Sequence, residues 1–518
     1  MPILIEQVLN ALTWDRLLFI LRAILASYLA TATINILYRE WTKVSAPRIG
    51  KNPWVSGLWR ARAEFSKHGK ELTRDGYVRY KNSMYWVQTG DMERLVLPVR
   101  FLDELRKLPN SILDSRTAVV ERNLGWYNRV DIILKSTAHV DVCRTQLVQH
   151  LPQVIDDQVK DLDRIFQLEL RACFRNKEFH FFNAAEAFLN IVNRSMARLL
   201  VGEALHRDEQ WLRVSLDTTT NTGRLCRELQ GYPGLLRPLI YPFLDARKIL
   251  NHNFDLAQRL LAQVVRERQR GDQNIDILQW LIDSYGGLDG KELDIPFLTN
   301  QTLFVAIAAT RSTASSIVNT IFDIISHPEY QDDLRGEIKD ALDTHGGWCL
   351  GALQDMKKLD SFMKESQRLN HHILLSFNRK VRDQVTLSNG VAIPPGTFIS
   401  TPAYWAARDL DGLASDGEVF DPWRWLHLRE EAERRGKSTV PYLSSTPSSH
   451  DLHWGYGRNA CPGRFMASAE VKLLLAWVLW HFDVCFPEGR TLRPESLFID
   501  ERVIPDPRQE IGFRVRSY

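Results

Sequence analysis

Cysteine is scarce in this chain of 518 residues: there are six, Cys143, Cys173, Cys226, Cys349, Cys461 and Cys485. They lie far apart and form no C-x-x-C pair, which speaks against a zinc ribbon or a redox dithiol. A charge bias is missing too. The 66 Lys and Arg nearly balance the 63 Asp and Glu, for a net charge of +3, so nothing suggests a nucleic-acid partner held by bulk electrostatics. No internal repeat, low-complexity tract or long linker follows residue 55, which excludes solenoids and arrays and leaves residues 56–518 as one large domain. With 44% hydrophobic side chains the chain can bury a sizeable core.

One long apolar run stands out. "LLFILRAILASYLATATINILY", residues 17–38, holds a single charge, Arg22, and as a helix it is long enough to cross about 30 Å of hydrocarbon. It predicts a transmembrane anchor with residues 1–16 in the lumen. Arg22 sits near the start, where its side chain can snorkel to the headgroups. A cleaved signal peptide fits less well, because the run begins late and no small-x-small site precedes Arg39. Arg39, Lys43, Arg48 and Lys51 follow the run, so the positive-inside rule places the large domain in the cytosol. Residues 39–55, basic and broken by prolines in "APRIGKNPW", read as a stiff connector. The sequons at Asn193 and Asn300 then carry no sugar, since glycosylation acts in the lumen.

Helical patterns dominate the body. "DQVKDLDRIFQLELRACFR" has the helix period, and "NQTLFVAIAATRSTASSIVNTIFDII" is apolar nearly all round, as a helix through a domain centre must be. Pro328 opens a further helix in "HPEYQDDLRGEIKDAL", with acids early where the macrodipole favours them. "RKVRDQVTLSNGVAIPPGTFIS" carries β-branched residues, an Asn-Gly turn and a Pro-Pro-Gly break, the marks of a small sheet. The fold class expected is mainly α with a minor β part.

Five cysteines read as small buried hydrophobes. Cys461 differs. In "HWGYGRNACPGRFMASAEVK", Gly455, Gly457 and Gly463 supply backbone freedom and Pro462 fixes φ beside the sulfur. The run "FMASAEVKLLLAWVLWHF" follows as a helix, so the cysteine lies near a helix N-terminus, where unpaired N–H groups favour a thiolate. A thiolate serves as a nucleophile or as a metal ligand. His453 could partner the first role; a haem iron needs only the second.

Trp454-x-x-Gly457-x-x-x-Cys461-x-Gly463 resembles the haem-binding signature of the cytochromes P450, in which the first position is usually Phe. "KESQR" supplies Glu365-x-x-Arg368 and "FDPWRW" supplies Pro422-x-Arg424-Trp425, similar to the buried Glu/Arg/Arg arrangement of that family and in its order. The likeness runs from about residue 290 to the end. It implies the cytochrome P450 fold, haem b (iron protoporphyrin IX) as cofactor and Cys461 as its axial iron ligand. By position it nominates Arg379 and Arg144 for the haem propionates. Val140 stands where many relatives carry Trp, and Asn459 where a basic residue is usual, with neighbouring Arg458 expected to compensate. Gly457 and Gly463 shape the loop, Trp454 shields the sulfur, and Glu365, Arg368 and Arg424 lock the segment before it.

The central helix departs from the family pattern. In "AATRST", residues 308–313, Arg311 and Ser312 replace the usual acid and first threonine. Proton delivery to dioxygen is then expected through Ser312, Thr313 and water, with Arg311 turned away into a salt bridge. The resemblance implies a monooxygenase of the microsomal type in the endoplasmic reticulum membrane. Its partners are O2, membrane lipid, an apolar small molecule and NADPH-cytochrome P450 reductase, with cytochrome b5 as an alternative donor. The wording is most similar to fungal enzymes of secondary metabolism, acting on terpenoids, meroterpenoids or alkaloids. The missing acid keeps a second reading open, an isomerase, dehydratase or desaturase without net oxygen insertion, and a haem-binding sensor or assembly protein is a third. "GYPGLLRPLIYPF", residues 231–243, is either a membrane-dipping lip of the access channel or a packed loop.

Overall fold

Helices follow the predicted periods, and one of them organises the rest. The computed structural model describes residues 14–53, 57–268, 274–286, 293–409, 416–487 and 490–516. The central helix, Ile295–Ser326, starts at Asp294, whose carboxylate accepts the Phe297 N–H at 3.0 Å, with Pro296 in the first turn where its missing N–H costs nothing. At 32 residues it is about 48 Å long. Its hydroxyls return to the backbone one turn back: Thr302 to Leu298, Thr310 to Ala306 and Thr320 to Ser316. That satisfies polar groups which would otherwise be costly inside a core. The helix ends at His327, and a 3-10 turn over Pro328–Tyr330 leads into Gln331–His345.

Against it pack Ala184–Val201, Glu209–Gln230, Asp245–Arg268 and the helix after the cysteine, Arg464–His481. The last is buried almost all round from Met466 to Leu479 and joins Ile317, Val318, Ile321 and Phe322 in one core cluster. Burying each such side chain contributes about 1.5–3 kcal/mol.

Strands are minor, as predicted. Six form one mixed sheet in the spatial order Arg48–Ile49, Tyr85–Gln88, Glu93–Val96, Phe398–Thr401, Ser376–Val381, Leu113–Asp114. The register between Ser376–Val381 and Phe398–Thr401 slips between Ser376 and Arg379, where Phe377 takes φ +53°. This bulge turns Arg379 inward. Gly390 has φ +84° in the expected Asn-Gly turn between two short strands. Elsewhere, Phe482–Cys485, Glu510–Val515 and His180–Asn183 make a three-stranded sheet, and Leu497–Ile499 pairs with Arg502–Ile504.

The expected anchor is one helix, Trp14–Thr42, with Phe19, Ile34 and Leu37 among its exposed side chains. Among the described residues no helix is long and apolar enough to cross a membrane. Residues 1–13 of the expected luminal segment lie outside the described residues. In residues 231–243, Leu235, Leu239 and Phe243 are exposed, whereas Tyr241 packs against the cluster of Leu225, Leu229, Ala246 and Leu250. Asn193 is buried and donates to the Leu212 carbonyl at 2.9 Å, which leaves it no freedom to carry a sugar.

Candidate active site

The loop before the Arg464–His481 helix is held at both ends. The Cys461 N–H donates to the Trp454 carbonyl at 2.7 Å, and the Trp454 indole N–H donates to the Ser444 carbonyl at 2.7 Å. Gly457 must be glycine twice over: its φ is +72°, and a Cβ there would lie 2.4 Å from Arg106 Cβ. Gly463 is different from the expectation. Its φ of −89° suits any residue, and a Cβ there would meet no protein atom within 4 Å. It faces a cavity instead.

That cavity, about 420 Å³, is floored by Cys461 and Gly463 and roofed by Ala308, Ala309, Ser312 and Thr313 of the central helix. Trp454 also lines it. Ser312 donates to the Ala308 carbonyl at 3.1 Å and keeps its lone pairs for a water. Burial pushes the Cys461 thiol up in pKa, against the opposing effects of the Gly463 N–H and Arg464. A metal cation on the sulfur would add to the Gly463 N–H and Arg464 in favouring its thiolate.

The buried ion network is assembled around Glu365. Its carboxylate accepts two bonds from Arg368, at 2.7 and 2.9 Å, one from Arg424 Nε at 3.2 Å, one from the Trp425 indole at 3.0 Å and one from the Asp421 N–H at 3.1 Å. Glu365, Arg368 and Arg424 are all buried. Arg368 also binds the carbonyls of Ala407, Gly417 and Val419, so the network ties the helix Lys357–Leu369 to the chain ahead of the cysteine loop. A neighbour was missed in the sequence. Lys364, fully buried, pairs with Asp451 at 2.9 Å and donates to the carbonyls of Leu443 and Thr446, pinning the same stretch from the other side. A lysine inside "KESQR" gives no signal of this, since most helical lysines are solvated.

Arg379, nominated by position for a propionate, is not among the residues that line the cavity, whereas Arg116 and Arg144 are. Arg379 is buried, and its partners are the Asn378 carbonyl at 2.9 Å and the Phe377 ring, with no carboxylate at ion-pair distance among the described residues. Burial lowers its pKa to about 10, with Asp114 opposing. Arg116, which sequence reasoning did not single out, lines the cavity and has its Nε buried without a partner. Arg144 lines the cavity, donates through Nη2 to the Arg458 carbonyl at 2.5 Å, and has no carboxylate at ion-pair distance among the described residues. Arg458 corrects the expectation that it compensates for Asn459: its side chain is exposed and faces an outer cleft shared with Arg106, Lys107 and Arg464. Asn459 donates instead to Asn110 at 3.0 Å.

Arg311 corrects the expectation of a salt bridge: among the described residues it has no carboxylate at ion-pair distance, and it donates to the Thr220 hydroxyl at 3.4 Å. His453 packs its ring against His372 and Trp454, at 4.9 and 5.0 Å between centroids, and burial drives its pKa well down, so no cysteine–histidine dyad forms at the cavity.

These residues fit a haem. A thiol stands on the floor, an open glycine lets a flat ring approach the backbone, and Arg379 and Arg116 are cations lacking anions. Comparison agrees: residues 168–511 match the sequence model described as "Cytochrome P450". Over 479 residues the chain is 31% identical to a cytochrome P450 monooxygenase of Emericella nidulans, covering 91% of this chain and 88% of that one. It is 31% identical over 497 residues to an ent-kaurene oxidase of Gibberella fujikuroi, with 95% and 96% covered, and 31% identical over 487 residues to the monooxygenase janP of Penicillium janthinellum, with 92% and 91% covered. The chain belongs to the cytochrome P450 family. As a member it is a haem-dependent oxidoreductase that uses O2 on a small molecule.

Proposed function

We propose that this enzyme oxidises a terpenoid or meroterpenoid skeleton, held in the apolar cavity between the central helix and the cysteine loop. The observation that supports the reading is that Cys461 lines the same cavity as Ala308, Ala309, Ser312 and Thr313 of the central helix. Haem b bound there would supply oxygen activation, and the Cys461 sulfur would hold its iron and donate electron density to it. Arg379 and Arg116 would bind its propionates by charge-assisted hydrogen bonds. Ala308 and Ala309 leave space beside the central helix for dioxygen and substrate. Thr313, buried against the cavity, and Ser312, with lone pairs free, would hold the water that passes protons inward.

The outer cleft lined by Arg106, Lys107, Arg144, Arg458 and Arg464 lies behind the cysteine loop. Its charge suits an acidic electron donor, and NADPH-cytochrome P450 reductase is the donor we assign. The exposed apolar residues of Trp14–Thr42 and of 231–243 support attachment to the endoplasmic reticulum membrane, with residues 17–38 as a single-pass anchor, 39–55 as connector and the 56–518 domain in the cytosol.

The test is direct. Reduced holoprotein with carbon monoxide should show the red-shifted Soret band of thiolate ligation, and Cys461→Ser should lose it. With reductase, NADPH and labelled dioxygen, the product should gain one labelled atom. An unchanged band in Cys461→Ser would overturn the site assignment.

A further inference from the structure

Three guanidiniums meet beside the turn of the central helix that roofs the cavity. Arg311 comes from that helix, Arg227 from Glu209–Gln230 and Arg502 from the strand Arg502–Ile504. Thr220, Gly223 and Arg227 are spaced to share one helix face. Arg311 Nη2 reaches Thr220 Oγ1 at 3.4 Å, and a Cβ built on Gly223 would lie 3.5 Å from Arg227 Nη1 and 3.9 Å from Arg502 Nη1. The glycine thus makes room for two guanidiniums to converge.

Among the described residues none of the three has a carboxylate at ion-pair distance. The acids nearby are taken: Glu228 by Arg224, Asp91 by Arg94, and Glu501 by Arg94 and Arg122. Burial lowers the pKa of Arg311, and the positive charges of Arg227 and Arg502 lower it further. Burial followed by Arg502 does the same to Arg227. Arg227 and Arg311 are exposed and Arg502 is half-buried, so an incoming anion can reach all three and relieve their mutual repulsion.

The position is informative. Arg311 directly precedes Ser312 and lies one turn from Ala308, both of which line the cavity above the thiol. We infer that Arg227, Arg311 and Arg502 form a subsite for the carboxylate of an otherwise apolar substrate, whose skeleton runs from these arginines along the central helix to Ala308. The inference rests on the cavity being the oxygenation site and adds the substrate class: a hydrophobic carboxylic acid held by its charged end. None of the three arginines lines the cavity itself, so they would hold a substrate by one end outside it, and their planar forks suit a carboxylate. Anchoring one end fixes which distant carbon reaches the reacting centre, so the arginines set regiochemistry.

The test uses holoprotein and matched probes: dodecanoic and hexadecanoic acids, their methyl esters, and the corresponding alkyl phosphates, followed by calorimetry and by the substrate-induced Soret shift. At least one acid should bind about tenfold or more tightly than its ester, and that advantage should shrink with salt. Arg311→Gln with Arg227→Gln should weaken the acid about tenfold and the ester less than twofold. Equal binding of every acid and ester, or equal loss for both in the variant, would overturn the subsite. An alkyl phosphate bound more tightly than its acid would overturn the carboxylate assignment. The reduced carbon monoxide band, measured in the same samples, separates this from a failure of the haem-thiolate reading, which would remove the band from the wild-type protein itself.

Discussion

Glu365→Gln keeps the size of the side chain and removes its charge from the centre of five hydrogen bonds. Every one of those bonds comes from a donor: Arg368 twice, Arg424, the Trp425 indole and the Asp421 N–H. An amide can accept through its oxygen alone, so its NH2 must face a donor, and buried Arg368 loses its counterion while Arg424 keeps only Asp416. Breaking a buried pair in this way costs about 3–5 kcal/mol. That is a large part of a typical stability of about 5–15 kcal/mol and raises the open population roughly a thousandfold. The network anchors the segment leading to the cysteine loop, so the opening is local first and haem escapes through it. Haem retention, read as the reduced carbon monoxide band against urea, should therefore collapse at a lower midpoint than helix content. Arg424→Gln should be milder, because Arg424 gives one bond to Glu365 and its other acid, Asp416, is exposed. If Glu365→Gln kept the wild-type midpoint for haem within about 0.5 kcal/mol, the claim that this carboxylate locks the segment would be wrong.

Other perturbations separate the remaining roles. Gly457→Ala should destabilise the fold by more than about 1–2 kcal/mol, the cost of left-handed backbone alone, because of its overlap with Arg106; Gly463→Ala should leave apoprotein stability unchanged and weaken haem uptake, as read by melting and haem titration. Thr313→Ala and Ser312→Ala should keep the carbon monoxide band and raise the NADPH consumed per product; unchanged coupling in both would remove them from proton delivery. Glu470, on the helix after the cysteine, has its carboxyl pushed up to about 8 by burial, opposed by hydrogen bonding from Gln158. Between its ordinary pKa near 4.5 and 8 the folded protein holds a proton that the unfolded chain has lost, so stability falls as pH rises through that window, on the order of 4–5 kcal/mol in total. Glu470→Gln should flatten the urea midpoint between pH 5 and 8, and an unchanged slope would discount this carboxyl.

Much of the site was legible because its chemistry needs fixed letters at fixed spacing. Cys461, Gly457 and the Glu365-x-x-Arg368 pair announce themselves within a few residues, and the central helix is written in an apolar stretch with small side chains at Ala308 and Ala309. What escaped depends on distance in the chain. Arg116 enters the cavity from a helix almost 200 residues before the one it faces, and nothing local distinguishes it from a surface arginine. Arg311 was expected in a salt bridge, the common fate of an arginine on a helix, but the elements it faces, Glu209–Gln230 and Arg502–Ile504, present more arginines. Arg458 was misjudged because one residue along a tight turn reverses the side of the loop a side chain occupies. The anchor was read from hydropathy of 17–38, which defines a helix and its exposed apolar side chains but not what covers them.

The cysteine loop leans on a part of the chain made long before it. Gly457 packs on Arg106, Tyr456 donates to Asp103 at 2.8 Å, and Asn459 meets Asn110 across 349 residues of sequence. At a translation rate of about 5–20 residues per second, the first wall of the pocket waits roughly 20–70 s for the second. During that interval the early segment is without its partner, and contacts of such long range are the slowest to form. Loading of the prosthetic group is thereby tied to the end of synthesis: a ribosome stalled anywhere before Cys461 releases a chain that cannot receive it, and supply of the group must be matched to completed chains rather than to initiation.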